Sequence, residues 1–232
     1  MISALIIQHA DNEGSGTLGN YLARFGTLHR VVLSRGDHLP RSPKPYDAVI
    51  SLGGPLQAGD DDNEFLKQEK AFLRTTATAG IPVLGICLGA QLLAAAFGGD
   101  VVRAKQPEIG WYEIQLTGEG HADPLFRGID GPVNVVQWHE DTIRLPEQAV
   151  LLATGSPCRP QAFRLRESAY GLQFHIEVTR RMLEEWFAFT PDGPDIVGQF
   201  GSEQSRLERN SHRVFRNFLA IVLAAQQQRR QA

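Results

Sequence analysis

Cysteine is nearly absent from this chain: 232 residues contain two, Cys87 and Cys158. A scaffold stapled by several disulfides is therefore excluded, and a single bridge would consume Cys87, whose surroundings suit a free thiol. The pattern points to a reducing compartment, the cytoplasm. An excess of positive charge is missing too. Lys and Arg number 23 against 26 Asp and Glu, for a net charge of −3, so there is no basic footprint for nucleic acid. No apolar run reaches the ~20 residues that span a bilayer, and no membrane association is expected. The apolar start, Met1 to Gln8, is short and has neither a basic leader nor a small-residue cleavage site, so it reads as a first strand rather than a signal peptide. No internal repeat is visible.

What is present is a core-building supply of apolar residues, 42% of the chain, in a length that suits one large domain, residues 1–232. Strand-length apolar segments at Ser3–Gln8, Leu28–Ser34, Ala48–Leu52 and Pro82–Ile86 alternate with helical patterns near Thr17–Phe25, Asn63–Ala79 and Leu88–Phe97. That alternation is the wiring of an α/β protein with a parallel sheet. From Val101 onward short β segments follow, near Val101–Arg103, Trp111–Leu116, Val133–Trp138, Ala149–Ala153, Gln161–Arg166 and Tyr170–Phe174, separated by Gly and Pro turns. The expected architecture is a flavodoxin-like open, mostly parallel sheet flanked by helices, with an antiparallel β section in the second half. Two helices close the chain, one from Thr179 and one over about 203–225, with Pro191–Gly201 as a loop and 226–232 as a frayed tail.

Three segments carry chemistry. In Gly85-Ile86-Cys87-Leu88-Gly89-Ala90-Gln91 a cysteine sits at the corner between a strand and a helix. Flanking glycines let the backbone turn sharply there, and the helix start favours a thiolate. A buried structural cysteine would be the plainer reading of that segment alone. In Phe174-His175-Ile176-Glu177-Val178, His and Glu are two apart, so in extended backbone they point the same way and the carboxylate can fix the imidazole tautomer. Cys87, His175 and Glu177 would then form a nucleophile, base and orienting acid. In Ser51-Leu52-Gly53-Gly54-Pro55, at the C-terminal end of a parallel strand, the glycines serve a turn or open the Gly54 N–H toward a developing oxyanion, with the Leu88 N–H as second donor.

Together these segments resemble the class I, triad-type glutamine amidotransferases. GICLGAQ resembles the family's nucleophile motif, FHIEV its His-x-Glu motif and SLGGP its oxyanion strand, in family order, with Cys87 and His175 88 residues apart. The resemblance covers about Ile2 to Val222. It is nearest to stand-alone proteins similar to the amidotransferase domain of GMP synthase, through QHADNEGSG, PEIGWYEI, QWHEDT and QAFR. Many relatives have proline where Ile176 stands, which leaves the His and Glu in place.

The resemblance implies hydrolysis of the glutamine side-chain amide through a cysteinyl thioester, giving glutamate and ammonia for a partner synthase on a separate chain. It also implies substrate contacts from Gly53, Gln91, Gln137, Trp138 and His139. A γ-glutamyl hydrolase or peptidase acting on a γ-glutamyl compound would use the same thioester, and a non-catalytic binding or regulatory protein could keep the fold. No cofactor and no metal is implied.

Other patterns have plainer readings. Gly14-Ser15-Gly16-Thr17-Leu18-Gly19 spells a dinucleotide fingerprint, but residues 9–13 separate it from the strand and Asp37 falls beyond the second strand. It is read as a loop and helix start walling the site. His139-Glu140-Asp141 and Glu119 to Asp123 lack a metal-ligand framework. Asp60-Asp61-Asp62 is a solvated approach to a helix cap, Arg229-Arg230 is too short for a polyanion patch, and Cys158 is an inert loop cysteine.

Overall fold

A computed structural model of the chain describes residues 1–60 and 62–231. Asp61 of the acidic triplet and the last tail residue, Ala232, lie outside the described residues. The strands are β1 (Ile2–Gln8), β2 (Gly26–Val32), β3 (Ala48–Ser51), β4 (Val83–Ile86), β5 (Asp100–Leu116), β6 (Val133–Arg144), β7 (Val150–Thr154), β8 (Pro160–Leu165) and β9 (Ala169–Leu172). The α-helices are α1 (Gly16–Leu22), α2 (Glu64–Thr78), α3 (Leu88–Ala96), α4 (Gly118–Ala122), α5 (Arg180–Trp186) and α6 (Gly193–Gln231).

The strands form one nine-stranded sheet in the order β2-β1-β3-β4-β9-β8-β7-β5-β6. The pairings from β2 through β1, β3 and β4 to β9 are parallel, and those beyond β9 are antiparallel. The expected α/β sheet flanked by helices is what forms, with an antiparallel share equal to the parallel one. Burial follows from this wiring. β3, β4 and β9 are buried at every position, because helices cover both faces of the parallel part. Two apolar clusters fill those faces, one around Ile6, Ile50 and Leu84, the other around Leu5, Val49 and Val83.

Local signals act as their chemistry requires. The Asn63 side chain accepts from the Phe65 and Leu66 N–H groups at the start of α2, and the Thr179 side chain accepts from the Met182 N–H at the start of α5.

Three expectations are corrected. The segments at Val101–Arg103 and Trp111–Leu116 are one strand, β5, whose pairing with β6 shifts register between Arg103 and Glu108. Pro107 lies in that break, where it costs no ladder hydrogen bond. The segment Pro191–Gly201 is not a loop: α6 begins at Gly193 and buries Ile196 and Phe200. Each buried side chain is worth roughly 1.5–3 kcal/mol, which outweighs the ~1 kcal/mol that Gly198 and Gly201 each cost a helix. Nor is the tail frayed through residue 231. The α6 helix continues there, and Gln226 Nε2 and Arg229 Nη2 reach the Asp47 carboxylate at 2.9 and 3.1 Å.

Because the central strands are parallel, their C-terminal ends share one edge of the sheet. His9 follows β1, Leu52 to Gly54 follow β3, Cys87 follows β4, and Gln173 to Glu177 follow β9. This edge holds the candidate site.

Candidate active site

Cys87 caps α3 with φ 51° and ψ −107°, a left-handed conformation that a non-glycine residue adopts at a cost of order 1–3 kcal/mol. Its neighbours hold it there. The Cys87 N–H donates to the Leu172 carbonyl at 2.8 Å, continuing the β4–β9 pairing, and the Gln91 N–H donates to the Cys87 carbonyl at 3.0 Å as the helix begins. The close approach of strand and helix needs glycine: a Cβ on Gly85 would stand 2.5 Å from the Gly89 carbonyl oxygen, and one on Gly89 would stand 2.1 Å from that of Ser51.

His175 is 2% exposed, and its N–H donates to the Val136 carbonyl at 2.8 Å, tying the β9 extension to β6. The His175 Nδ1 lies 2.7 Å from Glu177 Oε1, while Glu177 Oε2 accepts the Ile176 N–H at 3.0 Å. A carboxylate only accepts, so Nδ1 carries a proton and the other ring nitrogen is left for the thiol. Burial by itself would drive that proton off. The Glu177 carboxylate and a hydrogen bond with Cys87 outweigh it and hold the imidazole well above its usual range. The indole of Trp186 meets the imidazole edge-on, with ring centroids 4.8 Å apart.

The Gly14–Gly19 segment packs behind this pair. Thr17 donates its N–H and its hydroxyl to the Glu177 carbonyl at 2.8 and 3.0 Å, and a Cβ on Gly16, where φ is +45°, would sit 2.0 Å from that oxygen. Gly16 therefore serves close packing against the His175–Glu177 segment, and Gly19 packs against the Ser15 side chain.

A pocket of about 380 Å³ opens over the thiol, lined in part by Glu13, Gly54, Cys87, Gln91, Trp138, His139, His175 and Trp186. Gly54 lines it, and Leu88 follows Cys87 in the chain. Leu88 is the first residue of α3, so its N–H has no acceptor within the helix. A Cβ on Gly54 would lie 2.5 Å from the His9 Cβ and 2.9 Å from the Leu88 Cδ2; one on Gly53 would lie 2.6 Å from Glu13 Oε2 and 2.9 Å from His175 Cε1. Only glycine lets this strand end approach the thiol so closely.

The residues expected to hold substrate divide. Trp138 lines the pocket, stacks on Phe187 at 4.8 Å between centroids, and its carbonyl lies 3.7 Å from the Cys87 sulfur. Gln91 also lines it, with its amide donating to Gln173 Oε1 at 3.3 Å. Gln173 Nε2 in turn lies 3.9 Å from the sulfur. Gln137 is corrected: it is fully buried, does not line the pocket, and donates to Gln161 Oε1 at 2.6 Å. Side chains alternate along β6, so placing Trp138 at the pocket sends Gln137 to the opposite face.

His139 reaches the pocket wall but its ring is engaged elsewhere. Its Nδ1 is 2.7 Å from the Asp141 carbonyl and its Nε2 is 2.8 Å from Glu108 Oε2, at ion-pair distance without the alignment of a hydrogen bond. Burial pushes the Glu108 carboxyl up, yet its interactions with His139 and Gln161 outweigh it and bring it below the usual range.

Among the described residues, Glu108, His139 and Cys158 are the group whose metal-ligating atoms come together, within 4.8 Å of one another. The set closes on itself: Glu108 also accepts from Gln161 Nε2 and the Cys158 N–H, and the Cys158 thiol faces the Gln106 carbonyl. Burial and the Glu108 charge push the Cys158 thiol up, away from reactivity.

Glu13 is a pocket residue inside the QHADNEGSG segment, where the sequence assigns it no role. Burial pushes its carboxyl up, against the pull of the His175 and His9 rings. Trp186 and Gln173 are equally hidden in the sequence. Trp186 reads as core on the stripe of α5, and Gln173 reads as a strand residue.

The family description "Glutamine amidotransferase class-I" matches residues 15–189. The chain is 33% identical over 183 residues to the glutamine amidotransferase-like protein YfeJ of Salmonella typhimurium, covering 77% of each chain. It is 40% identical to one subunit of the glutamine-hydrolysing GMP synthase of Methanothermobacter thermautotrophicus, covering 69% of this chain and 84% of that one. A crystal structure of a glutamine amidotransferase from Thermotoga maritima superposes with a TM-score of 0.84 at 30% identity, over 95% of this chain and 98% of that one. The chain belongs to the class I glutamine amidotransferase family.

Proposed function

We propose that the protein hydrolyses the side-chain amide of glutamine through a thioester on Cys87. The observation that carries this reading is the His175 ring, bonded to the Glu177 carboxylate on one side and interacting with the Cys87 thiol on the other, with both His175 and Cys87 lining one pocket beside Gly54.

The Cys87 sulfur, its proton passed to His175, attacks the amide carbon, and the carbonyl π pair moves onto oxygen. The N–H groups of Gly54 and Leu88 receive that oxyanion, and one such donor is typically worth about 2.7–4 kcal/mol. The C–N bond then breaks, with the imidazolium proton going to the departing nitrogen, and ammonia leaves a thioester. Water attacks the thioester as His175 takes its proton, the C–S bond breaks, and the proton returns to sulfur. The balance is glutamine and water to glutamate and ammonia.

Both cysteines are free thiols, which fits the cytoplasm, and no helix among the described residues is long and apolar enough to cross a membrane. Relatives named as single subunits of a glutamine-hydrolysing GMP synthase support a synthase on a separate chain as the destination of the ammonia.

The test is an incubation series of glutamine and assorted γ-glutamyl amides and dipeptides, following ammonia, amine and glutamate before and after alkylation of the thiol. Thiol-dependent ammonia release from glutamine is expected. Release of amines or amino acids without appreciable glutaminase activity would reassign the protein as a γ-glutamyl hydrolase. Inertness toward all of them, with lysate added, would leave a binding protein.

A further inference from the structure

A second buried His–Glu pair lies behind the strand end that carries Gly53 and Gly54. His9 follows β1, Glu69 projects from the middle of α2 and Ser51 ends β3; none is more than 4% exposed. His9 Nδ1 lies 3.0 Å from the Gly53 carbonyl oxygen and His9 Nε2 lies 2.8 Å from Glu69 Oε2, while the Ser51 hydroxyl donates to Glu69 Oε1 at 2.6 Å. Neither His9 nor Glu69 lines the pocket over the thiol, so the reaction proposed above makes no direct use of them.

We infer that His9 and Glu69 are positioning residues that clamp the Gly53–Gly54 peptide and so aim the Gly54 N–H at the oxyanion; the inference rests on the amide hydrolysis proposed above. A carbonyl oxygen only accepts, so His9 Nδ1 is protonated, and the carboxylate partner calls for a proton on Nε2 as well. Burial opposes the resulting imidazolium, and the Glu69 carboxylate outweighs it, raising the His9 pKa.

The Gly53–Gly54 peptide is trans, since the cis bond among the described residues is Ser156–Pro157. In a planar trans peptide the C=O and the N–H point in opposite directions. Pinning the Gly53 oxygen inward therefore turns the Gly54 N–H outward, to the side where Gly54 borders the pocket with Cys87. A device is needed because the same glycines that permit close approach also make rotation of their shared peptide plane easy. Ser51 ties the clamp to the nucleophile as well, for a Cβ on Gly89 would lie 2.5 Å from its hydroxyl. The network thus references the Gly54 donor and the start of α3 to one frame.

The test compares His9→Leu, His9→Asn, whose amide nitrogen can stand in for Nδ1, and Glu69→Gln. Two rates are read: amide turnover, and alkylation of Cys87 by iodoacetamide, which develops no oxyanion. His9→Leu is expected to lower kcat by about 10²–10³-fold, the loss typical of one oxyanion donor, with KM and the alkylation rate nearly unchanged. His9→Asn should recover a large part of that loss, and Glu69→Gln should fall between the two. Unchanged kcat in His9→Leu, or alkylation slowed as much as turnover, would overturn the clamp. Should His9→Leu fail to fold, nitrogen-15 NMR of the wild-type histidines decides: a protonated, exchange-protected His9 Nδ1 is expected, and an unprotonated Nδ1 at neutral pH overturns it. Wild-type protein inert toward every amide would instead refute the reaction, with the NMR arm still reporting on the clamp.

Discussion

The two sides of the pocket are built differently. On the parallel side, Cys87, Gly53 and Gly54 stand at strand ends, and their positions are set by backbone: a strained corner at φ 51°, glycines with no room for a Cβ, and the Leu88 N–H at the helix start. On the antiparallel side, Trp138 and His139 belong to β6, and their positions are set by side chains: Trp138 stacked on Phe187, and His139 held between the Asp141 carbonyl and Glu108. Backbone-set positions tolerate little movement, because the main chain itself would have to shift. Side-chain-set positions can be retuned one residue at a time. This division suits an enzyme that keeps its bond-making atoms fixed and varies what it accepts, and it predicts that substitutions on the two sides will affect different kinetic constants.

The largest effects belong to the parallel side and the His175 segment. Cys87→Ala should abolish turnover, a loss of about 10⁴-fold or more, while leaving the far-UV circular dichroism and the urea midpoint close to wild type. Glu177→Ala should cost one to two powers of ten less, because the carboxylate orients the ring and supports its charge without touching the substrate. Steady-state kinetics on the amide that the wild type turns over best would check both. Full activity in Cys87→Ala would remove the nucleophile assignment, and with it the distinction between the two sides.

The same division governs what can be read from sequence. The elbow, the His-x-Glu spacing and the glycine pair are local patterns, each within a few consecutive residues, and each segment lies at the sheet edge where its strand ends. The His9–Glu69–Ser51 network joins the residue after β1 to residues of α2 and β3, up to 60 positions apart, so no local spacing marks it. Glu69 falls on the buried stripe of α2, where a carboxylate looks like an interruption of an apolar face until His9 and Ser51 are seen around it. Gln137 departs from expectation because Gln137 to His139 do not act as a unit: β6 sends alternate side chains to opposite faces. The start of α6 is hidden in sequence because Gly193, Pro194, Gly198 and Gly201 carry loop chemistry, and what overrides it is burial against Trp111, whose indole N–H donates to the Ile196 carbonyl at 2.9 Å.

On the antiparallel side the effects should be smaller and fall on binding. Trp138→Ala removes a ring that stacks on Phe187 and lies 6.0 Å from the Trp186 ring, yet the atom facing the thiol is the Trp138 carbonyl, which alanine retains. The ring lines the pocket, so without it KM should rise roughly tenfold, the equivalent of ~1.4 kcal/mol, with kcat little changed. Initial-rate measurements over a wide substrate range would separate the two constants. A fall in kcat at constant KM would mean that the ring takes part in the chemical step, and the side-chain wall would then belong with the backbone side.

The smallest effect is on stability, and its direction follows from the two buried imidazoles. Burial opposes the charge on His175 and on His9, and the Glu177 and Glu69 carboxylates outweigh it, so both hold their protons more tightly folded than unfolded. An unfolded histidine titrates near ~6.5. The stabilisation from each pair is therefore fully present below that value and is lost as pH rises through the higher folded-state value, by about 1.4 kcal/mol for each unit separating the two. The raised Glu13 carboxyl acts in the same direction. Urea midpoints taken from pH 6 upward should decline, and the decline should be shallower in Glu69→Gln, where His9 has lost the partner that holds its proton. A wild-type midpoint that climbs over that range would mean that the buried rings are neutral when folded, and that neither His–Glu pair carries the charge assigned to it.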